Sequence, residues 1–132
     1  MELVVALDTN AYSDWRRASE WHEILSIADR ILLPVPVLGE LYHGFRKGRR
    51  NRDNCNKLHA FLTEPQVLVA ETTHRTAGIY GDFLYHLQKR ATPIPTNDIW
   101  IAAVAYEHSA TLLTRDSHFV NLPQISLNLK AE

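Results

Sequence analysis

Five consecutive apolar residues, Leu3-Val4-Val5-Ala6-Leu7, run straight into the polar Asp8-Thr9-Asn10. An unbroken apolar run of this length suits a strand buried on both faces, as in a parallel sheet covered by helices. Such a strand needs neighbours of the same kind. Ile31-Leu32-Leu33 is a second run, ended by Pro34 and Pro36; Val67-Leu68-Val69 is a third, Ala110 to Leu113 a fourth, and Ile125-Ser126-Leu127 offers a fifth. Helical spacing fills the intervals. Trp21, Ile24, Leu25 and Ala28 share one face, with Ser19 as the expected cap. Leu38, Leu41 and Tyr42 fall in register between Val37 and Phe45, and Leu58, Phe61 and Leu62 mark a helix stopped by Pro65. Thr72 or Thr73 opens a longer helix with Ala77, Tyr80, Leu84 and Leu87 on one face. Gly78 and Gly81 weaken it by ~1 kcal/mol each relative to alanine, so close packing on another element is expected there. After the rigid Pro93-Ile94-Pro95, Thr96 is the expected cap of a helix whose stripe is Ile99, Ala102, Ala103 and Tyr106. Strands alternating with helices predict an α/β fold with a mainly parallel sheet.

The chain has 132 residues, which predicts a single domain over 1–132, and 45% of them are apolar, enough for an ordinary core. No apolar run approaches the ~20 residues that span a bilayer. Met1 to Leu7 is short, carries Glu2 and lacks a basic start, so it does not read as a secretory signal. The sole cysteine, Cys55, excludes an internal disulfide and a cysteine-rich zinc site, which fits a reducing, cytoplasmic setting. A net charge of −1 is not the broad basic footprint of a protein that holds nucleic acid by bulk charge. Locally the balance differs: Arg46, Lys47, Arg49, Arg50 and Arg52 form a basic arm free of acids. It reads equally as a solvated helix face and as a nucleic-acid contact.

In an open parallel sheet, ligands bind outside the carboxyl ends of the strands. Asp8 directly follows the first apolar run, and Asp116 lies just past the fourth. Asp98 falls in the first turn of the Ile99 helix, and Glu40 in the first turns of a helix that follows the second run. If these ends meet at one edge of the sheet, four carboxylates converge. They cannot all stay ionised without a counter-charge, and hard divalent cations with oxygen ligands, Mg²⁺ or Mn²⁺, are the natural remedy. Such a site activates water and neutralises charge on a phosphodiester. Each acid also has a plainer reading. Asp8 suits an Asx-turn or helix cap, Asp98 complements a helix dipole, and Asp116 suits an ordinary turn. Glu40 is the hardest to dismiss, as the one acid between Ile31 and Arg52. Thr9, Asn10 and Thr114 flank the acids and read evenly as supporting groups or as turn and cap residues. The seven histidines show no zinc spacing, His118 reads as a lone surface residue, and Trp15, Trp21 and Trp100 as core or interface residues.

These residues carry a resemblance. Leu7-Asp8-Thr9-Asn10, then Val37-Leu38-Gly39-Glu40-Leu41-Tyr42-His43-Gly44, then Pro95-Thr96-Asn97-Asp98-Ile99-Trp100-Ile101-Ala102-Ala103, and last Leu113-Thr114-Arg115-Asp116-Ser117-His118-Phe119 resemble, in order, the four motifs of the PIN-domain nucleases. Within that family the chain is similar to the VapC toxins of bacterial and archaeal toxin–antitoxin pairs. The resemblance implies a three-layer α/β fold with a parallel sheet of about five strands, and Mg²⁺- or Mn²⁺-dependent endonucleolytic cleavage of RNA. It makes Asp8 and Asp98 the principal metal ligands, with Glu40 and Asp116 completing the pocket and Thr114 and Asn10 in support. It also implies homodimers and a VapB-like antitoxin whose C-terminal segment, often with a basic side chain, enters the acidic groove. A PIN nuclease of RNA maturation and a non-catalytic PIN-fold binding module are the alternatives. Phosphoryl-transfer folds fit poorly: Asn10 stands where a dehalogenase-like phosphatase has a second Asp, and no receiver-type acidic pair accompanies the first strand.

Overall fold

A computed structural model describes residues 2–130; residues 1, 131 and 132, the ends of the expected 1–132 domain, lie outside that description. Five strands appear where the apolar runs place them: β1 (Val4–Leu7), β2 (Arg30–Pro34), β3 (Val67–Ala70), β4 (Thr111–Thr114) and β5 (Ser126–Leu129). They form one sheet in the order β3-β2-β1-β4-β5, and every adjacent pair is parallel. Six α-helices connect them: α1 (Thr9–Ala18), α2 (His22–Ile27), α3 (Val35–Lys47), α4 (Asn51–Leu62), α5 (His74–Lys89) and α6 (Thr96–Glu107). A 3₁₀ turn, Ser117–Asn121, follows β4.

The reading of strands buried on both faces holds for the centre of the sheet. Val5, Ala6, Leu7, Leu33, Leu112 and Leu113 are fully buried, whereas Leu68 and Val69 on β3 are exposed. β3 and β5 are edges, paired on one side only, and their outer residues lack helical cover. Helix α6 is buried around most of its circumference, through Ile99 and Ile101 to Ala105, so it has almost no polar face. Tyr106, expected in its stripe, is instead exposed.

Several local expectations are corrected. Thr9–Ala18 is a helix that the sequence reading did not assign; Ala11, Tyr12 and Trp15 share its inner side with the buried Asp14. Ser19 therefore caps the C-terminus of α1, not the N-terminus of the next helix; its φ is 56° and its N–H bonds the Trp15 carbonyl at 3.0 Å. Trp21, with φ 68°, stands at the start of α2 without a side-chain cap. Thr73 does open α5, in a reciprocal capping arrangement with Thr76. The inner face of α5 is Thr76, Phe83 and Leu87, with Tyr80 and Leu84 half-buried and Ala77 turned out. Gly78 and Gly81 are exposed, and a Cβ at either would meet nothing within 4 Å, so the expected close packing is absent. Pro95 occupies the cap position of α6 and Thr96 is its first helical residue, with no side-chain cap bond. Trp21 is buried, Trp15 packs on Phe61 (4.8 Å between centroids) and Trp100 stacks on Tyr80 (4.0 Å). Among the described residues, no helix is long and apolar enough to cross a membrane.

Candidate active site

The chain runs β1-β2-β3 to one side and continues with β4-β5 on the other, so the topology reverses between β1 and β4. The carboxyl ends of strands on either side of such a reversal flank a crevice, because their connections leave in opposite directions. Asp8 stands at the end of β1 and Asp116 two residues past β4. Glu40 reaches this edge from α3, the helix after β2, and Asp98 from the first turn of α6.

Each side chain is held by its element. Asp8 is 5% exposed and caps α1: one carboxylate oxygen accepts from the Ala11 N–H at 2.8 Å. Its other oxygen accepts from the hydroxyl of Thr114, which is fully buried. The same hydroxyl accepts from the Asp116 N–H at 2.9 Å, so Thr114 ties together the two acids that flank the crevice. Thr9 donates to Glu40 at 2.5 Å, linking α1 to α3. His118 Nε2 hydrogen-bonds the Asp98 carboxylate at 2.9 Å, and its Nδ1 lies 2.9 Å from the Asp116 carboxylate. The ring is therefore wedged between two of the four acids. His118 is thus a member of the site and not a lone surface residue.

Burial governs the electrostatics. Asp8 is raised from 3.8 to about 6, first by loss of water, then by the negative charges of Asp98 and Asp116; its bonds from Thr114 and Ala11 oppose the rise. Asp98 is also raised, by burial first and by Glu40 and Asp116, against the opposing effect of His118. These mutual effects connect all four acids. The plain roles are real as well: Asp8 is a cap, Asp98 lies in a first helical turn, and Asp116 caps the 3₁₀ turn by accepting from the His118 N–H at 3.3 Å. A cap needs neither burial nor like-charge neighbours, and Asp8 has both. Oxygen donors this close, held against their own repulsion, fit a hard divalent cation. Asp98, Asp116 and His118 offer ligand atoms within 4.8 Å of one another.

The remaining expected residues divide. Thr9 and Thr114 bond the acids, whereas Asn10 is exposed and shows no side-chain bond to them. Arg46, Lys47, Arg49, Arg50 and Arg52 are all exposed at the α3–α4 corner. His118 lies two residues from Asp116, and in the sequence that closeness stands against the plainer reading of a lone surface histidine; the 3₁₀ turn folds its side chain back over its own cap and brings it into the site.

Residues 5–124 match the PIN domain family. The chain is 27% identical over 131 residues to ribonuclease VapC2 of Rickettsia felis, covering 95% of this chain and 96% of that protein. Among solved structures it is similar to VapBC2 of the same organism bound to a promoter DNA fragment, with a TM-score of 0.84 and 25% identity over 96% of this chain and 98% of that one. It is also similar in fold to DNA-bound VapBC of Salmonella typhimurium, with a TM-score of 0.85 and 22% identity over 97% and 98%.

Proposed function

Because this chain belongs to the PIN domain family, we propose that it is a metal-dependent endoribonuclease serving as the toxin of a VapBC-like toxin–antitoxin pair. The carrying observation is the convergence of Asp8, Glu40, Asp98 and Asp116 at the topological reversal, where burial and mutual repulsion raise Asp8 and Asp98. The likeness to a ribonuclease VapC along nearly the whole chain supports RNA as substrate, and the likeness to VapBC complexes supports an antitoxin partner. In this reading residues 1–132 form one PIN domain that acts in the cytoplasm as a homodimer. A basic side chain of the antitoxin would neutralise the acidic groove.

Asp8 and Asp98 would hold the ion, with Glu40 and Asp116 completing the set directly or through water. Mg²⁺ or Mn²⁺ bound there supplies an activated water and a counter-charge for the phosphodiester. The chain's own work is positioning. Thr114 fixes the Asp8 carboxylate and the Asp116 backbone together, Thr9 aims Glu40, and α1 holds Asp8 from its first turn. His118 contacts both Asp98 and Asp116, so an ion bound by those acids would have to share them with its ring.

Induced expression of wild type and Asp98→Asn in bacteria, with mapping of new RNA 5′ ends, tests the reading. Discrete cuts and growth arrest are expected from wild type alone, with the variant reduced by more than the roughly 10–100-fold typical of outer-shell changes. Wild-type cutting by Asp98→Asn removes the site assignment. Two folded proteins that neither cut RNA nor slow growth leave the binding-module or maturation reading.

A further inference from the structure

A cavity of about 440 Å³ lies where α1 faces the α3–α4 corner, and the cations Arg16, Arg17, Arg50 and Lys57 line it with no carboxylate among its lining residues. Only Arg50 belongs to the basic arm visible in the sequence; the fold brings the other three from α1 and α4. We propose that this cavity binds a backbone phosphodiester of the RNA strand, a few nucleotides from the scissile one. The inference rests on the ribonuclease reading and adds the substrate path that the acidic site needs.

The charge argument is simple. Four carboxylates repel a polyanion, and a net charge of −1 gives no general attraction, so local cations must hold the strand. One helix, α1, serves both the cavity and the site. Asp8 caps this helix, Thr9 bonds Glu40, and Ser13 and Arg16 line the cavity further along. Arg16 follows Asp8 by eight residues, about 12 Å at helical rise.

The cavity is also preorganised. Arg16 donates Nε–H to the Tyr12 hydroxyl at 3.0 Å and Nη2–H to the Lys57 carbonyl at 2.9 Å, and it lies over the Trp15 ring at 4.5 Å. Those bonds immobilise the guanidinium and use two of its five donors, leaving three without a protein partner among the described residues. Arg50 makes no ion pair among the described residues. Lys57 pairs with Asp53 through an exposed contact of the kind that contributes little and yields to a phosphate, whereas Arg17 is held by the buried Asp14. Ser13 and Asn54 add neutral donors, and Phe45, in edge contact with the exposed Tyr42, gives an adjacent base an aromatic surface.

The test measures binding of a short fluorescein-labelled oligouridylate to the cleavage-deficient Asp98→Asn protein, in Mg²⁺ buffer across a potassium chloride series. Adding Arg50→Gln and Lys57→Gln is expected to raise Kd about tenfold and to lower the salt slope by about 1.4, two charges at ~0.7 each for a single strand. Arg30→Gln with Arg75→Gln, at the opposite edge of the sheet, is expected to change neither; matched thermal midpoints verify folding. Unaltered affinity and slope in the cavity variant overturn the inference, as do equal losses in both variants. Retained RNA binding with lost capture of a co-expressed antitoxin assigns the cavity to a protein partner instead. If the Asp98→Asn parent binds no RNA, the ribonuclease reading fails first and the cavity inference with it.

Discussion

Asp8 is the residue at which folding and chemistry pull apart. Its carboxyl is ordinary in the unfolded chain, at 3.8, and raised to about 6 in the folded one, chiefly by burial. The folded state therefore binds this proton more tightly. The stability contributed by the protonated form is fully present below about pH 4 and is lost as pH rises through 6. About two units correspond to roughly 3 kcal/mol, an upper bound because the site relaxes and admits water. Asp8→Asn keeps the shape without the charge. In chelator, the variant is expected to equal or trail wild type at pH 4.5 and to gain on it by about 1–3 kcal/mol at pH 8. Urea unfolding at the two pH values measures this, and parallel curves for the two proteins would show that Asp8 titrates alike in the folded and unfolded chain. Asp98 is raised in the same direction and adds to the trend. The position of Asp8 after an apolar run was legible in the sequence. Its burial was not, because that depends on Thr114, 106 residues away.

At the scale of elements, the strands were easier to read than the helices. Short apolar runs, Leu3 to Leu7 ended by Asp8 and Ile31 to Leu33 ended by Pro34, mark β1 and β2, and Leu112-Leu113 marks β4. α1 escaped because its stripe of Ala11, Tyr12 and Trp15 is short and interleaved with polar residues: Asp14 is buried, with Arg17 and Arg115 as ion partners, and Arg16 lies over aromatic rings. The face of α5 was misread by one position, since Ala77 is small enough to suit either side of a helix. α5 also carries two glycines that nothing in the described chain requires. Both have ordinary negative φ and open space around a Cβ. Gly78→Ala with Gly81→Ala is expected to raise stability by about 1–2 kcal/mol, through reduced backbone freedom in the unfolded chain, with RNA cleavage unchanged. A denaturant midpoint measures it. A fall in midpoint would mean that a second chain packs on this face, as it would in the proposed homodimer.

For the whole molecule, the order β3-β2-β1-β4-β5 determines where the acids can meet. The four are separated by tens of residues, and only the reversal between β1 and β4 gives them a common crevice. That arrangement stores repulsion in the fold, relieved at low pH by protonation at Asp8. A divalent ion that binds the folded site and not the unfolded chain removes that repulsion, so metal and proton compete for one set of oxygens. Saturating metal at about 100 times its Kd is expected to stabilise the protein by ~2.7 kcal/mol at pH 8. The gain shrinks at pH 5, where Asp8 holds its proton and ion binding must displace it. Asp98→Asn should lose most of the gain at either pH. Thermal unfolding across a Mg²⁺ or Mn²⁺ series, in wild type and in the variant, reads the linkage without any RNA present. A midpoint that ignores metal at pH 8 would mean that the site holds no ion, and the metal-dependent reading would fall. A shift equal in wild type and Asp98→Asn would place the ion elsewhere on the molecule.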